Sequence, residues 1–283
     1  MIITSEQTSL LSEFRCERIK NTEYALVQSL RGAMVEGQET SLAFIFKNNN
    51  TLKEDQADTL ASYLILTPAN EVLGFFSLRC GELYRRVDIA KMELCRNAWD
   101  SLMVLRNNPG LPPDVKTKHI DAIRKAVKAG VNNPDEMQAF AAKSRHYEYD
   151  KSKWSGKNIE HVSDVYPAVE LKLFGINEDA KQLWKSFSLP QRFGETLFWQ
   201  VIVGQIEKIS GIVGCQYVYL FAADKEPDGE LVNYYQTRLH FSSIPDVSAN
   251  KPHFDFNCQF MYQDVNTLKK YKRYFFDHFN SVF

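Results

Sequence analysis

The feature that most constrains the fold is an alternation of apolar strands and amphipathic helices in the second half of the chain. Residues 167–244 contain, in order, PAVELKLFGIN, LPQRFGETLFWQVI, CQYVYLFAAD and LVNYYQTRLHF. Residues 215–223 are apolar enough for a strand with neighbours on both sides. Residues 194–210 carry apolar side chains every three or four positions, as a core-facing helix requires. The alternation predicts a mixed sheet with helices on both faces.

The first half of the chain has a different pattern. Residues 5–31 show roughly helical spacing and predict one or two short helices, and residues 41–47 predict a strand. The segments ASYLIL and VLGFFSL, separated by TPANE, predict a β-hairpin with a five-residue loop. From about residue 84 to residue 150 the spacing is helical again, and prolines and glycines divide it.

This change of pattern predicts three parts: residues 1–84, a helical insertion at 85–165, and residues 166–283. Residues 85–160 contain 15 basic and 10 acidic side chains. The local excess of positive charge has two interpretations that the sequence leaves open. The insertion is either a solvated helical addition or a module for substrate recognition or dimerisation.

Composition excludes several classes of protein. The net charge is −1, from 34 basic and 35 acidic residues, so the chain as a whole does not attract nucleic acid or an anionic membrane. The N-terminus lacks the basic and apolar pattern of a signal peptide, and no apolar run approaches the length of a membrane span. The five cysteines form no CxxC pair. We therefore expect a cytoplasmic protein without a metal site.

The order of these elements resembles the core of the GNAT acetyltransferases. In that family a strand leads through a glycine-containing loop into a long helix, followed by a strand, a helix with an aromatic–tyrosine pair, and a strand opening with Gly-Phe. The segments SEFRCERIK and GFFSLRCG resemble the branch that contains aminoacyl-tRNA-acetylating toxins. The resemblance covers residues 5–84 and 166–263. It implies an α/β, GNAT-like acyl-CoA N-acyltransferase fold with a mixed sheet and a helical insertion.

The resemblance implies acetyl-CoA as cosubstrate, with its diphosphate near residues 191–196. A helix N-terminus suits a diphosphate because its first backbone amides are unpaired and its dipole is positive there. The family loop, Gln/Arg-x-x-Gly-x-Gly/Ala, has two small residues, and this chain lacks one of them. Arg192 then either contacts the phosphates or blocks the site. The implied cofactor-binding residues in this loop and helix are Arg192, Phe193, Gly194, Glu195 and Thr196.

Two further segments complete the implied site. The backbone of Phe174, Gly175 and Ile176 would pair with the pantetheine amides as an added strand does. In the helix 230–239, Asn233 is an implied cofactor contact, and Tyr235 is the implied general acid for the departing CoA thiolate. A phenol suits this task because its ordinary pKa, near 10, keeps it protonated at neutral pH. Packing of Tyr234 and Tyr235 on the sheet is the structural alternative.

Glu170 is the best-placed carboxylate for a general base, followed by Asp224. A strand residue that simply faces outward would show the same sequence pattern as Glu170.

The predicted reaction is acetyl transfer to a primary amine by direct attack. Three acceptors stay open: a small molecule, a protein amine and aminoacyl-tRNA, the last making the chain a toxin. A homodimer is also open. The alternative is a GNAT-fold binding or regulatory protein without turnover, because Arg192 and His240 replace glycines of the family pattern.

Overall fold

A computed structural model describes residues 2–22, 50–86, 89–131, 133–142, 162–223, 229–243, 247–249 and 258–281. The chain divides into two compact units. The first comprises Met1–Leu83 and Val165–Phe283, and the second comprises Tyr84–Asp164.

A six-stranded mixed sheet forms the frame of the first unit. In the order β1-β2-β3-β4-β5-β6, neighbouring strands are hydrogen-bonded. The pairs β1–β2, β2–β3 and β5–β6 are antiparallel, whereas β4 and β5 are parallel. The α/β mixed sheet predicted from the sequence is therefore confirmed. The strands are β1 (Arg15–Arg18), β2 (Ala61–Leu66), β3 (Val72–Arg86), β4 (Val162–Ile176), β5 (Tyr217–Ala222) and β6 (Gln259–Asp264).

One large core lies between the sheet and the long helix of residues 193–213. This helix begins as α7, passes through a π-helical turn at Phe198–Ile202 and continues as α8. It ends at Gly214, whose left-handed backbone (φ 72°) suits a glycine C-cap. The helices of this unit are α1 (Ser5–Ser12), α2 (Asn50–Gln56), α6 (Lys181–Ser186), α7 (Phe193–Leu197), α8 (Val203–Val213), α9 (Glu230–Thr237) and α10 (Val265–Asp277).

The opposite face of the sheet has its own smaller core. Leu64, Phe75 and Leu173 are buried there, and Leu52 of α2 packs against them. Helices therefore cover both faces of the sheet, as the alternation of elements predicts.

The N-terminal segment differs from the prediction of helix over residues 5–31. Helix α1 starts at a capping box in which Thr4 and Gln7 bond each other's backbone, and it ends at Ser12. The following residues form strand β1 instead, because they pair with Tyr63–Leu66 of β2. A tertiary pairing thus overrides the local helical spacing. Residues 23–49, including the predicted strand 41–47, lie outside the described residues.

The predicted hairpin is confirmed, with β2 and β3 joined across residues 67–71. The sequence HFSSI (residues 240–244) predicts a short strand, and its described residues form a single bridge between Ser242 and Tyr262. The sequence FDFNCQFMY (residues 254–262) predicts a last strand. Within its described part this strand is β6, which ends at Asp264 and leads directly into α10.

The second unit is helical where it is described. It contains α3 (Ile89–Asn107), α4 (Pro113–Lys128) and α5 (residues 134–142). Their shared core includes Cys95, Ala98, Ala126, Val131 and Met137. No helix in the described ranges combines the length and apolar character that a membrane crossing requires.

Candidate active site

The strands β4 and β5 are paired over only part of their length. Ala168, Val169 and Glu170 face Tyr217, Val218 and Tyr219, and no pairing follows beyond Glu170. Strand β4 nevertheless continues to Ile176, and β5 continues to Ala222. The two strands therefore separate, and residues 171–176 and 220–222 border the gap. We call this gap the strand cleft.

The side-chain alternation of β4 breaks at the start of the strand cleft, and this break indicates a β-bulge. Val169 and Leu171 belong to the core under the long helix, as alternation requires, but Leu173 lies in the core of the opposite face. Phe174 and Ile176 then return to the long-helix side. The break in alternation places one extra residue near Lys172, and such a bulge bends its strand and interrupts pairing.

The N-terminus of α7 carries amides without a helical partner. The first intrahelical bond joins the Thr196 amide to the Arg192 carbonyl at 2.9 Å. Arg192 is the N-cap residue, and its side chain makes no capping hydrogen bond. The amides of Phe193, Gly194 and Glu195 therefore lack an acceptor within the helix, as in an anion site.

Two contacts fix the loop before α7. Gln191, the first loop residue in one of the two registers that the family pattern allows, donates through Nε2 to the Phe279 carbonyl at 2.6 Å. Phe193 is buried and stacks on Trp184, with 4.5 Å between ring centroids. The sequence between β4 and α7, longer than in the family pattern, is thus folded as α6 and packed into the core through Trp184.

The strand cleft and the helix start lie side by side. A Cβ atom placed on Gly194 would lie 3.5 Å from Ile176, 3.8 Å from the Tyr234 hydroxyl and 3.9 Å from Phe174. These are ordinary contacts, so packing alone does not require glycine there. Gly175 is different, because a Cβ atom would lie 2.7 Å from the Phe75 ring. The structure therefore brings the predicted residues of β4 and α7 together.

Glu195 is an acidic group in the first turn of α7. The residue is 6% exposed, and burial raises the pKa of its carboxyl while Arg238 and Arg192 oppose the rise. Its neighbour Thr196 is fully buried, and its hydroxyl donates to the Arg192 carbonyl at 3.0 Å. Arg192 itself is exposed. The electrostatic contribution of Arg238 was missed by sequence reasoning, since nothing in its segment marks it.

The two tyrosines of α9 occupy different surroundings. The Tyr234 hydroxyl reaches the start of α7, and burial, followed by Glu195, raises its pKa. Tyr235 packs edge-on against Phe241, with centroids 6.2 Å apart, and burial raises its pKa to about 12. Both phenols are therefore protonated at neutral pH. Asn233 is exposed on the same helix.

Glu170 is not an outward-facing residue. It is 2% exposed and accepts a hydrogen bond from Arg79 Nε at 2.8 Å. Burial and the charge of Glu170 raise the pKa of the nearby Tyr219 to about 12. Sequence reasoning missed Arg79 and Tyr219, because β3 and β4 each carry several charged residues and nothing in the sequence marks Arg79 as the partner of Glu170. Asp224, the second candidate base, lies outside the described residues.

His240 adopts a backbone conformation that usually requires glycine. Its φ is 58°, in the left-handed region that favours glycine. Its ring stacks on Tyr271 with 3.9 Å between centroids, and its carbonyl accepts from Gln263. The turn that the resemblance assigns to Gly-Phe is therefore formed despite the substitution. Within the described ranges, no group of three His, Cys, Asp or Glu side chains is arranged to hold a metal ion.

Comparisons with known proteins give low similarity. No family model and no curated protein matches the sequence. Among solved structures, AtaTR bound with acetyl-CoA is 14% identical, with a TM-score of 0.45 over 92% of this chain and 98% of that chain. AtaT complexed with acetyl-methionyl-tRNAfMet is 13% identical, with a TM-score of 0.43 over 92% and 99% of the two chains. A tyrosine-to-phenylalanine mutant of KacT is 12% identical, with a TM-score of 0.44 over 92% and 99%.

Proposed function

We propose that the chain is an acyl-CoA-dependent N-acyltransferase that moves an acetyl group from acetyl-CoA to a primary amine. The observation that supports this most directly is the strand cleft beside the uncapped N-terminus of α7. The cleft offers unpaired β4 backbone to the pantetheine amides. The helix start offers amides and a positive dipole to the diphosphate.

The reaction is a direct attack of the amine nitrogen on the thioester carbon. The backbone amides of residues 174–176 polarise the carbonyl as it gains negative charge. The carbon–sulfur bond then breaks, and Tyr235 gives its proton to the CoA thiolate. The amine loses one proton in exchange, so the products are an N-acetylated amine and CoA with a free thiol.

The base role predicted for Glu170 stays a prediction. Its oxygen Oε2 already accepts two hydrogen bonds from Arg79, through Nε and Nη2. Glu170 could take the amine proton only by giving up part of this bonding. An acceptor amine that is already neutral would need no protein base, and the neutral fraction increases as the amine pKa falls.

Calorimetry with acetyl-CoA tests the proposal. We expect saturable binding of acetyl-CoA and CoA and much weaker binding of acetyl-pantetheine, which lacks the diphosphate. Absence of acetyl-CoA binding at millimolar concentration would falsify the acyltransferase proposal. Turnover is then measured as release of the CoA thiol with a panel of amines.

The second candidate is a binding protein without turnover, which Arg192 and His240 favour in the sequence. Neither substitution disturbs the backbone. Arg192 adopts an ordinary extended N-cap conformation (φ −63°), and His240 keeps the left-handed one. The experiment above separates the two candidates, because a binding protein would take up acetyl-CoA and release no thiol with any amine.

Because Glu195 has a raised pKa, we expect cofactor binding to depend on pH. As the pH rises through its raised pKa, the carboxyl ionises beside the diphosphate, so affinity falls by about 10-fold. Calorimetry with dephospho-CoA from about pH 5 to about pH 8 measures this without the titrating 3′-phosphate. Glu195→Gln has the same size and no charge. The variant should bind dephospho-CoA as tightly at high pH as at low pH. If its affinity falls with pH as steeply as that of the unmodified chain, another group is responsible for the pH dependence.

A further inference from the structure

Arg79, Glu170 and Tyr219 form a polar group on the sheet, which we call the Arg79 cluster; Glu170 and Tyr219 are buried and Arg79 is exposed. Arg79 Nε donates to Glu170 Oε2 at 2.8 Å, and Nη2 bonds the same oxygen. The ring of Tyr219 reaches across β4 toward β3, where a Cβ atom on Gly81 would fall 2.2 Å from its hydroxyl. Gly81 therefore provides the space that the Tyr219 hydroxyl occupies beside Glu170.

The cluster lies where β4 and β5 separate. Glu170 and Tyr219 are the last paired residues of the two strands. The β4 bulge near Lys172 follows within two residues. Along β4, the charged side chains next to a thioester held by the amides of residues 174–176 are Lys172, which is paired with Glu54 at 3.4 Å, and then the cluster.

The cluster also lies on the face opposite to the cofactor. Val169 and Leu171 point toward the long helix, so Glu170 between them points away from it, as does Ala168, which packs with Tyr219. A diphosphate at the start of α7 brings the acyl chain into the strand cleft from the long-helix side. The acceptor then approaches from the other side, over the cluster.

Arg79 has donors that are not bonded to any of the described residues and that a ligand could use. Its side chain is 41% exposed, whereas Glu170 is 3% exposed. A guanidinium has five N–H donors, and the bonds to Glu170 use Nε and one hydrogen of Nη2. The edge formed by Nη1 and Nη2 remains, and this fork fits the two oxygens of a carboxylate or phosphate. Glu170 fixes the orientation of that fork.

We propose that Arg79 recognises the acceptor by binding an anionic oxygen group, a carboxylate or a phosphate, close to the reacting amine. This inference rests on the proposed acyltransferase function. Because the cluster adjoins the strand cleft, the amine and the anionic group must be only a few bonds apart. The acceptor class is therefore a small amino acid or a small phosphorylated amine. Glu170 and Tyr219 act through Arg79 and are positioning residues.

Matched pairs of acceptors test the inference in the whole chain. The panel contains the common amino acids beside their carboxamides, phosphoethanolamine beside ethanolamine, and the polyamine spermidine. We expect kcat/KM for the anionic member of one pair to exceed that of its neutral partner by about 10- to 100-fold, the range for a hydrogen bond to a charged group. The pair that shows the preference identifies carboxylate or phosphate. Equal rates within every pair, or turnover of spermidine alone, overturn the proposal.

Variants assign the preference to Arg79. The single substitution Arg79→Ala would leave the buried Glu170 carboxylate unpaired and could prevent folding. The main variant is therefore the double substitution Arg79→Met and Glu170→Gln, which removes both charges together. It should raise KM for the anionic acceptor by about 10- to 100-fold relative to the neutral partner and keep acetyl-CoA affinity. Loss of a base role of Glu170 would lower kcat for both partners alike, so the ratio of kcat/KM within the pair is the readout. Preserved discrimination in a folded double variant overturns the role of Arg79. Failure of acetyl-CoA to bind the unmodified chain instead overturns the proposed function, and bound acetyl-CoA with no panel acceptor overturns the small-acceptor assignment.

Discussion

Replacing Tyr235 with phenylalanine should reduce kcat by about 10²- to 10⁴-fold, the usual contribution of a general acid. The affinity for acetyl-CoA should not change, because the substitution removes one hydroxyl and keeps the ring against Phe241. Burial raises the pKa of Tyr235 to about 12, so the phenol is fully protonated at neutral pH and can supply the proton that a thiolate leaving group needs. Single-turnover release of CoA, with calorimetry for binding, measures both quantities.

Tyr234→Phe is the matched control. Tyr234 is the adjacent residue on the same helix, and its hydroxyl lies beside the start of α7, where the diphosphate is proposed to bind. Its loss should weaken cofactor binding and leave the chemical step nearly unchanged. If Tyr234→Phe abolishes thiol release while Tyr235→Phe retains it, the two tyrosines have exchanged roles. If both substitutions reduce kcat only slightly and to the same extent, neither tyrosine acts as the general acid.

The elements that the sequence predicted best are those whose pattern is local. The long helix of residues 193–213 shows its apolar stripe directly, and the β2–β3 hairpin is bounded by its turn residues. Strand β1 was missed because its four residues have no strand pattern of their own and depend on β2 for pairing. Local spacing reports which face of an element is apolar, but it does not report the partner.

The candidate site was predictable in its backbone and not in its side chains. The order of elements implied parted strands beside a helix start, and the structure has both. The bulge in β4 could not be predicted, since Lys172 and Leu173 continue an ordinary alternating pattern. The pairing of Arg79 with Glu170 joins residues 91 positions apart in sequence. Such contacts follow from strand order and register, which single-sequence patterns leave undetermined.

Replacing Asp55 with alanine should produce the largest loss of stability of any single substitution considered for this chain. The side chain is fully buried, and Oδ1 accepts from Arg18 Nε at 2.7 Å and from the Ser62 amide at 3.0 Å. Oδ2 accepts from the Lys20 amide at 2.8 Å. Alanine would leave a charged group and two amides without their acceptor, which costs about 3–5 kcal/mol. The midpoint of urea unfolding, followed by tryptophan fluorescence, measures the loss.

Asp58→Asn tests whether the loss comes from the buried carboxylate or from charge alone. Asp58 also pairs with Arg18 and Lys20, but its side chain is 66% exposed, so solvent screens the interaction and the effect should be small. Asparagine also tolerates the positive φ of 56° at this position. The hydrogen bonds of Asp55 join β1, α2 and β2, and none of them reaches a residue of the strand cleft. Folded Asp55→Asn protein should therefore keep its acetyl-CoA affinity. Equal destabilisation by Asp58→Asn and Asp55→Ala would assign the effect to net charge and contradict a structural role for the buried carboxylate.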